Sequence, residues 1–471
     1  MLIRGLLSAI ILAAGSSFAG GQEPPLSLAD LHKGGVALAR ALPLLDVDDT
    51  DFERVFRELL KNNPKWNEEA VALLREGAGK PAELDERERD WTVLLQGFRD
   101  EKGVVRWVSN ALGDPNADLA LRQHLLRVMT RMQAPPSDEW LEQLAPLLKD
   151  GDLRRDVLAA VKKHGLRDFD RAILAITRQD DLPIELRIAA IDAIAVRLNP
   201  TPETFALLIR ELQKNADPVA RILAGRALAS VRLSDAQAKD LATAIPSLSA
   251  SMGILVLPAF ARLRDSEVGF AIVKSLRGSP TAKRMTLADL DRLLTPYSNE
   301  VLLEARNLRE DIARQVPEGE AESFANLLRE LPLGDANRGR DVFFNSKAAC
   351  ANCHRAAGKG GGIGPNLSRV GFLRNANELL ESIVLPNAST IPEFRSWKVT
   401  TDRGQSFSGF LIAETASTLY LREADRSVRR IPRKQIEEAE LSRISLMPEG
   451  LEKLMSRQEL ADLVQFLAEL R

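Results

Sequence analysis

The sequence predicts a mostly α-helical chain: a long array of helical repeats, then a helical domain interrupted by a small β-barrel insertion. Three observations carry this. Leu, Ala and Arg dominate 471 residues of which 5% are aromatic, a composition that favours helix over a large β architecture. A pattern with helical periodicity recurs at 32 to 34 residues through the middle of the chain. Short runs of alternating apolar and polar residues, separated by turn residues, occupy 395–441. The 45% hydrophobic fraction is ordinary for a folded protein, and a net charge of −2 gives no signature of nucleic-acid or membrane-surface binding.

At the N-terminus, Arg4 precedes an apolar stretch from Leu6 to Ala14, and Ser17-Phe18-Ala19 places small residues at the two cleavage-determining positions. This predicts a secretory signal over 1–19, with the mature chain starting near Gly20. The apolar run is well short of the roughly 20 residues that span a bilayer. No cysteine follows it to take a lipid. The expected location is periplasmic or secreted.

From 25 to 330 the chain reads as successive amphipathic helices. The first are expected around Val36–Leu42, Phe52–Lys61, Asn67–Leu74 and Arg87–Gly97. From about residue 105 four helices open on Arg122, Arg154, Arg187 and Arg221, with apolar residues at offsets three, four and seven and Gly225 as the one exception. Each follows a polar turn: Asp114-Pro115-Asn116, Asp150-Gly151-Asp152, Asp180-Asp181 or Asn215-Ala216-Asp217-Pro218. A helix–turn–helix unit of this length, with an Asp-rich turn and a leading Arg, resembles HEAT repeats. The resemblance implies an α-solenoid with an extended partner-binding surface, since no single unit buries its own apolar face. The aligned arginines are placed to reach the aspartates of the preceding turns, or else to be solvated. His32, His124 and His164 are isolated from other ligand-type residues and are read as non-ligating.

The chain's two cysteines both fall in Cys350-Ala351-Asn352-Cys353-His354. C-x-x-C-H is the attachment pattern of a c-type haem: each thiol adds across one vinyl group and the adjacent imidazole ligates the iron. A zinc ribbon needs a second cysteine pair or a spaced histidine pair, and neither is present. A thioredoxin-like pair belongs in a βαβ context, which the pattern around it does not supply.

Around this pentapeptide, Asp335 is a plausible N-cap for a helix through Arg338–Phe344, Asn377–Leu385 reads as a pocket helix, and Ser456-Arg457-Gln458-Glu459 is a capping box opening the last helix, Leu460–Leu470. Gly339 with Phe343, the C-x-x-C-H, Gly364-Pro365-Asn366-Leu367 and the terminal helix resemble class I cytochromes c. That resemblance implies that the Pro365 carbonyl accepts a hydrogen bond from His354. It also makes Met447, in Ser445-Leu446-Met447-Pro448, the second axial ligand. Met455 is the rival, but it falls in the helical pattern Leu451, Leu454, Met455, where a methionine is usually a core filler. His354 and Met447 lie 93 residues apart, and the excess is the β-rich insertion. Its strands are expected at Ser396–Thr401, Ser406–Glu414, Thr418–Glu423, Ser427–Ile431 and Gln435–Leu441, as an SH3-like or Sm-like barrel.

Together with Arg338-Gly339-Arg340, Leu385-Pro386-Asn387-Ala388 and Leu446-Met447-Pro448-Glu449-Gly450-Leu451, the segment 334–471 resembles the PVC-type haem-binding domain, whose members often follow HEAT repeats. The resemblance implies one covalent haem c held by Cys350, Cys353, His354, Pro365 and Met447, with His354 and Met447 on the iron. With both axial positions filled, the expectation is an electron-transfer protein and not an enzyme, docking a redox partner such as a dehydrogenase or a terminal acceptor. An open iron would instead suit a haem-based sensor or scaffold, or a peroxidase, although a di-haem peroxidase needs a second C-x-x-C-H. A basic cluster in the insertion, Arg422, Arg426, Arg429, Arg430, Arg433 and Lys434, is either a steering surface for an acidic partner or a solvated strand edge.

Overall fold

The computed structural model describes residues 26–471 except 46, 48–51, 85–86, 214–215, 316–317, 346, 389–393, 415–417, 426 and 443. The expected signal segment, 1–19, and Arg426 lie outside the described residues. The chain is mostly α-helical with a small antiparallel sheet region. No helix among the described residues is long and apolar enough to cross a membrane. Two compact units divide it, one ending at His164 and the other running from Gly165 to Arg471.

In the first unit each helix packs on the next but one. Leu28–Lys33, Phe52–Asn62, Glu88–Gly97, Leu119–Arg131 and Arg154–His164 form one row; Leu38–Ala41, Trp66–Ala78, Lys102–Gly113 and Asp138–Leu147 form the other. Apolar residues at three- and four-residue spacing bury between the rows, as Leu121, Leu125, Val128 and Met129 do. Trp66 and Trp140 are fully buried, and each satisfies its indole N–H on a carbonyl of the preceding stretch of its row. Nε1 of Trp66 donates to Val36 O at 2.7 Å and that of Trp140 to Val105 O at 3.0 Å. The helical part of the second unit repeats the plan, with rows Ile184–Ile194, Pro218–Ser230, Ala250–Val256 and Pro202–Glu211, Asp235–Ala244, Ser266–Leu276, Asn299–Glu304.

The leading arginines do something the spacing did not reveal. Three of the four donate to open carbonyls at the end of the preceding helix: Arg122 Nε to Leu112 O (3.2 Å), Arg154 Nε to Leu148 O (2.5 Å) and Arg187 Nε to Thr177 O (3.1 Å). A cation here satisfies orphan acceptors and faces the negative end of the helix dipole. Arg187 also meets Asp180 of its own turn at 2.7 Å, as expected, but the aspartate nearest Arg122 is Asp150 of the following turn, at 3.6 Å.

From Asp335 onward the chain forms a second assembly of elements. Asp335 caps the helix Ala336–Phe344 through Arg338 N, and Ser456 and Glu459 close a capping box on Arg457–Glu469. These two helices cross at Gly339. A Cβ there would lie 1.9 Å from Asp462 O, so only glycine permits the approach. Beside the crossing, Asp462 accepts a two-pronged bond from Arg338 (2.7 and 2.8 Å), the backbone N–H of Asp335 (2.7 Å) and the amide of Gln458 (2.9 Å). Phe343 packs on Phe466 with ring centroids 5.7 Å apart. The helix Ala376–Val384 lays Leu379, Leu380 and Ile383 on the same core.

Among the described residues seven strands complete the unit. A short hairpin pairs β1, Arg355–Ala356, with β2, Lys359–Gly360. Its two-residue turn has positive φ at both positions, 48° at Ala357 and 76° at Gly358, the geometry that matches strand twist. Then come β3, Trp397–Thr401; β4, Ser406–Glu414; β5, Thr418–Arg422; β6, Val428–Pro432; and β7, Ile436–Leu441. They pair antiparallel in the order β6-β5-β4-β3-β7, a meander whose last strand returns beside its first, through a 3-10 turn at Arg433–Gln435. Trp397, Val399, Leu419, Leu421, Ile431 and Ala439 fill its buried face.

This sheet is seated on the helical rows of its own unit. β7 packs against Pro218–Ser230 and Ala250–Val256. Arg433 pairs with Asp217 at 3.2 Å, nearly buried Arg395 pairs with buried Asp289 at 2.5 Å, and Arg284 donates to Leu441 O.

Two outcomes test these contacts. Depression of the Asp462 carboxyl to about 2, caused first by Arg338, means that its contribution is complete above the usual carboxylate value of 3.8 and is lost as pH falls through 2. Asp462→Asn should therefore lower hydrogen-exchange protection of helices Ala336–Phe344 and Arg457–Glu469 at neutral pH by an equivalent of about 1.5–3 kcal/mol. Unchanged protection would refute the ion pair's role. Asp289→Ala leaves the Arg395 guanidinium without its buried partner and should speed exchange in β7; equal rates would exclude Arg395 as an anchor of the sheet.

Candidate functional site

Cys350–Cys353 is a single helical turn, entered through Ala349 in the left-handed region (φ 52°) and closed by His354 N donating to Cys350 O at 2.9 Å. Residues three apart share a helix face, so the turn offers both thiols to one side. Both are half-buried and free. Cys350 leans on the apolar core formed by Phe343, Leu380, Leu463 and Phe466, and burial pushes its thiol up to about 11, keeping it protonated at neutral pH.

His354 leaves the turn in extended conformation, and the chain folds back around its ring. The hairpin reverses direction, Gly361 N donates to Ala351 O at 2.7 Å, Gly364 N to Cys353 O at 2.8 Å and Leu367 N to Arg355 O at 2.7 Å. His354 Nδ1 lies 3.0 Å from Pro365 O. A carbonyl only accepts, so Nδ1 carries the hydrogen and Nε2 presents a lone pair. Burial lowers the imidazole pKa, opposed by the Pro365 bond, and so favours the neutral, ligating form. Gly364 lies flat against the ring: a Cβ there would come 2.5 Å from Cε1. The role that the resemblance implied for Pro365 has its geometry here, and Gly364 joins it as the residue that makes room.

Met447 is half-buried and packs on the same apolar cluster as Cys350 and Leu367. Met455, its rival, is 9% exposed and belongs to the core itself. The loop carrying Met447 is fixed by polar contacts that the sequence did not single out. Asn387 accepts from Ser445 N at 2.7 Å and donates to the Glu449 carboxylate, while Met447 N donates to Ser445 Oγ at 3.1 Å.

Two thiols, one imidazole nitrogen and one thioether are the donors on offer. Among the described residues no group of three or more His, Cys, Asp or Glu is placed to hold a metal ion, so this set cannot close a coordination sphere alone. Cys350, Cys353 and the Nε2 lone pair of His354 are the donor types that a covalently attached haem takes from a protein, and Met447 lies on the apolar cluster that Cys350 packs on. The helix expected over Asn377–Leu385 to line a pocket instead buries Leu379, Leu380 and Ile383 against the terminal helix.

The other candidate residues have surroundings of their own. His124 is fully buried with its ring edge-on to Trp91 at 5.0 Å, and His164 Nε2 lies 2.7 Å from Met129 O. In the basic cluster, Arg433 is taken up by Asp217, and Arg429 pairs with Glu423 at 2.9 Å while stacking on Phe407. A cleft of about 1020 Å³, lined among others by Lys283, Arg292, Arg309, Glu381, Glu452 and Lys453, includes neither cysteine, nor His354, nor Met447.

No family model matches the chain, and no curated protein matches it significantly.

Gly364→Ala should push the His354 ring off Pro365 O. The slowly exchanging Nδ1–H resonance expected of the wild-type imidazole should then vanish, while Gly362→Ala, which points into open space, retains it. Retention of that resonance in Gly364→Ala would contradict the cradle.

Proposed function

We propose that this chain is an exported mono-haem c-type cytochrome that carries electrons. In this reading residues 334–471 are a class I cytochrome c domain of the PVC type, and the helical rows before it are a HEAT-like solenoid. The strand order β6-β5-β4-β3-β7, with its 3-10 turn before β7, supports an SH3-like barrel for the insertion. The observation that carries the proposal is the His354 Nδ1 bond to Pro365 O across a position where only glycine fits, because it orients Nε2 and fixes its tautomer.

Bound at this site, haem supplies a one-electron ferrous–ferric couple. The protein's part is to hold it. Cys350 and Cys353 would anchor it covalently and His354 Nε2 would ligate the iron, while the Pro365 carbonyl keeps that ring in register. The Met447 thioether would be the second protein donor to the iron, which would raise the potential relative to two histidines and leave no place for a substrate. The apolar cluster of Phe343, Leu380, Leu463 and Phe466 keeps water from the buried side. Such a protein relays electrons and is not itself an enzyme.

Its redox partner, a dehydrogenase or a terminal acceptor, docks on the solenoid or beside the haem domain. Arg433 of the basic cluster is not free for that purpose, being committed to Asp217 within the chain.

Optical and magnetic-circular-dichroism spectra of the haem-loaded protein test the proposal. The wild type should show a weak far-red thioether-to-iron band that Met447→Ala abolishes. A high-spin iron that readily takes added ligands in the wild type would overturn it and favour a sensor or a peroxidase.

A further inference from the structure

The side chain that fixes the Met447 loop belongs to neither the loop nor the Cys350–His354 turn. Asn387 stands just past the helix Ala376–Val384, half-buried, in a turn closed by Ala388 N donating to Leu385 O at 2.9 Å. That helix is itself held at both ends. An Asn375–Glu378 capping box secures its start, and Leu379, Leu380 and Ile383 seat it on the core shared with the terminal helix. Asn387 thus reaches the loop from a rigid support.

The amide touches the loop on both sides of Met447, two residues before it and two after. Oδ1 accepts from Ser445 N at 2.7 Å, and Nδ2 donates to the Glu449 carboxylate. The orientation is chemically determined, since a backbone N–H only donates and a carboxylate accepts. Ser445 passes the constraint on: its Oγ accepts from Met447 N at 3.1 Å. Beyond Glu449 the loop turns away through Gly450 at φ 81°. One amide therefore pins the stretch 445–449 as a bridge with the thioether at its middle.

We propose that Asn387 is the positioning residue for Met447, acting through Ser445 and Glu449 to hold the thioether in its ligating place. This rests on the His/Met reading above. A thioether is a weak ligand, so the share of time it spends on iron depends on how little the loop must be ordered to deliver it. Asn is required because the job needs one acceptor and one donor. Aspartate would keep the bond to Ser445 but set two carboxylates against each other at Glu449; glutamine at 449 would give that aspartate a donor again.

The test uses the full haem-loaded chain with two readouts. Hydrogen exchange reads the Ser445 and Met447 amides, and titration with imidazole reads how easily the ferric thioether is displaced. Asn387→Ala should weaken both protections and tighten imidazole binding by roughly tenfold or more, the equivalent of one charge-assisted hydrogen bond. Asn387→Asp should do the same at neutral pH, and Asn387→Asp with Glu449→Gln should recover most of the loss. If Asn387→Ala does not accumulate, Glu449→Ala cuts one arm alone and should give a smaller change in the same direction. Unchanged exchange and imidazole affinity in these variants would overturn the proposal. A wild-type spectrum lacking the thioether band would instead overturn the His/Met reading, and the ligand-positioning role with it, whatever the exchange rates.

Discussion

Asp462 sits almost fully buried where the helices Ala336–Phe344 and Arg457–Glu469 cross, and it accepts four hydrogen bonds from three residues. An unpaired carboxylate in such a place would cost several kcal/mol; here the two-pronged Arg338 guanidinium and the Asp335 N–H offset that cost. The crossing is close because Gly339 has no side chain to hold the helices apart. Everything nearer the proposed haem depends on it. Phe343 and Phe466 meet at the crossing, Cys350 packs on the core they define, and the helix Ala376–Val384 that supports the Met447 loop lies on the same terminal helix.

A second set of charges fastens the sheet to the helical rows of its unit. Arg395–Asp289 is nearly dry on both sides, and Arg433–Asp217 joins the turn before β7 to the residue that caps the helix Pro218–Ser230. A buried pair such as Arg395–Asp289 adds little net stability but specifies geometry, because a shifted register strands a charge. The insertion is thus fastened to the helical rows of its unit, and Arg395 and Arg433 serve the chain before they serve any partner.

Much of this was legible in the residues. All five strands over 395–441 were expected within about two residues, because period-two alternation and turn residues such as Gly404 set them locally. The Ser456–Glu459 capping box announced the terminal helix, and the Asp335 cap announced its partner. His354 was legible from the C-x-x-C-H pattern and its bond to Pro365 only through resemblance; the structure adds that Gly364 leaves the room this bond needs. What escaped was long-range. Nothing in the spacing tells that Asp462 will meet Arg338, 124 residues away, or Asn387 will meet Ser445, 58 residues away. The arginine pattern was read as reaching the aspartates of the preceding turns or as solvated; Arg187 does meet Asp180, but Arg122, Arg154 and Arg187 also take open carbonyls at helix ends, which the spacing does not tell.

The central claim is that Cys350 and Cys353 hold one haem covalently while His354 ligates it. Intact mass spectrometry of the exported protein under denaturing conditions tests this most directly, alongside Cys350→Ala with Cys353→Ala. The account predicts a wild-type mass equal to the polypeptide plus one haem that survives denaturation, no thiol open to alkylation, and loss of the added mass in the double variant. A wild-type chain with the bare polypeptide mass and two cysteines that alkylate, or that form a disulfide with each other, would contradict it.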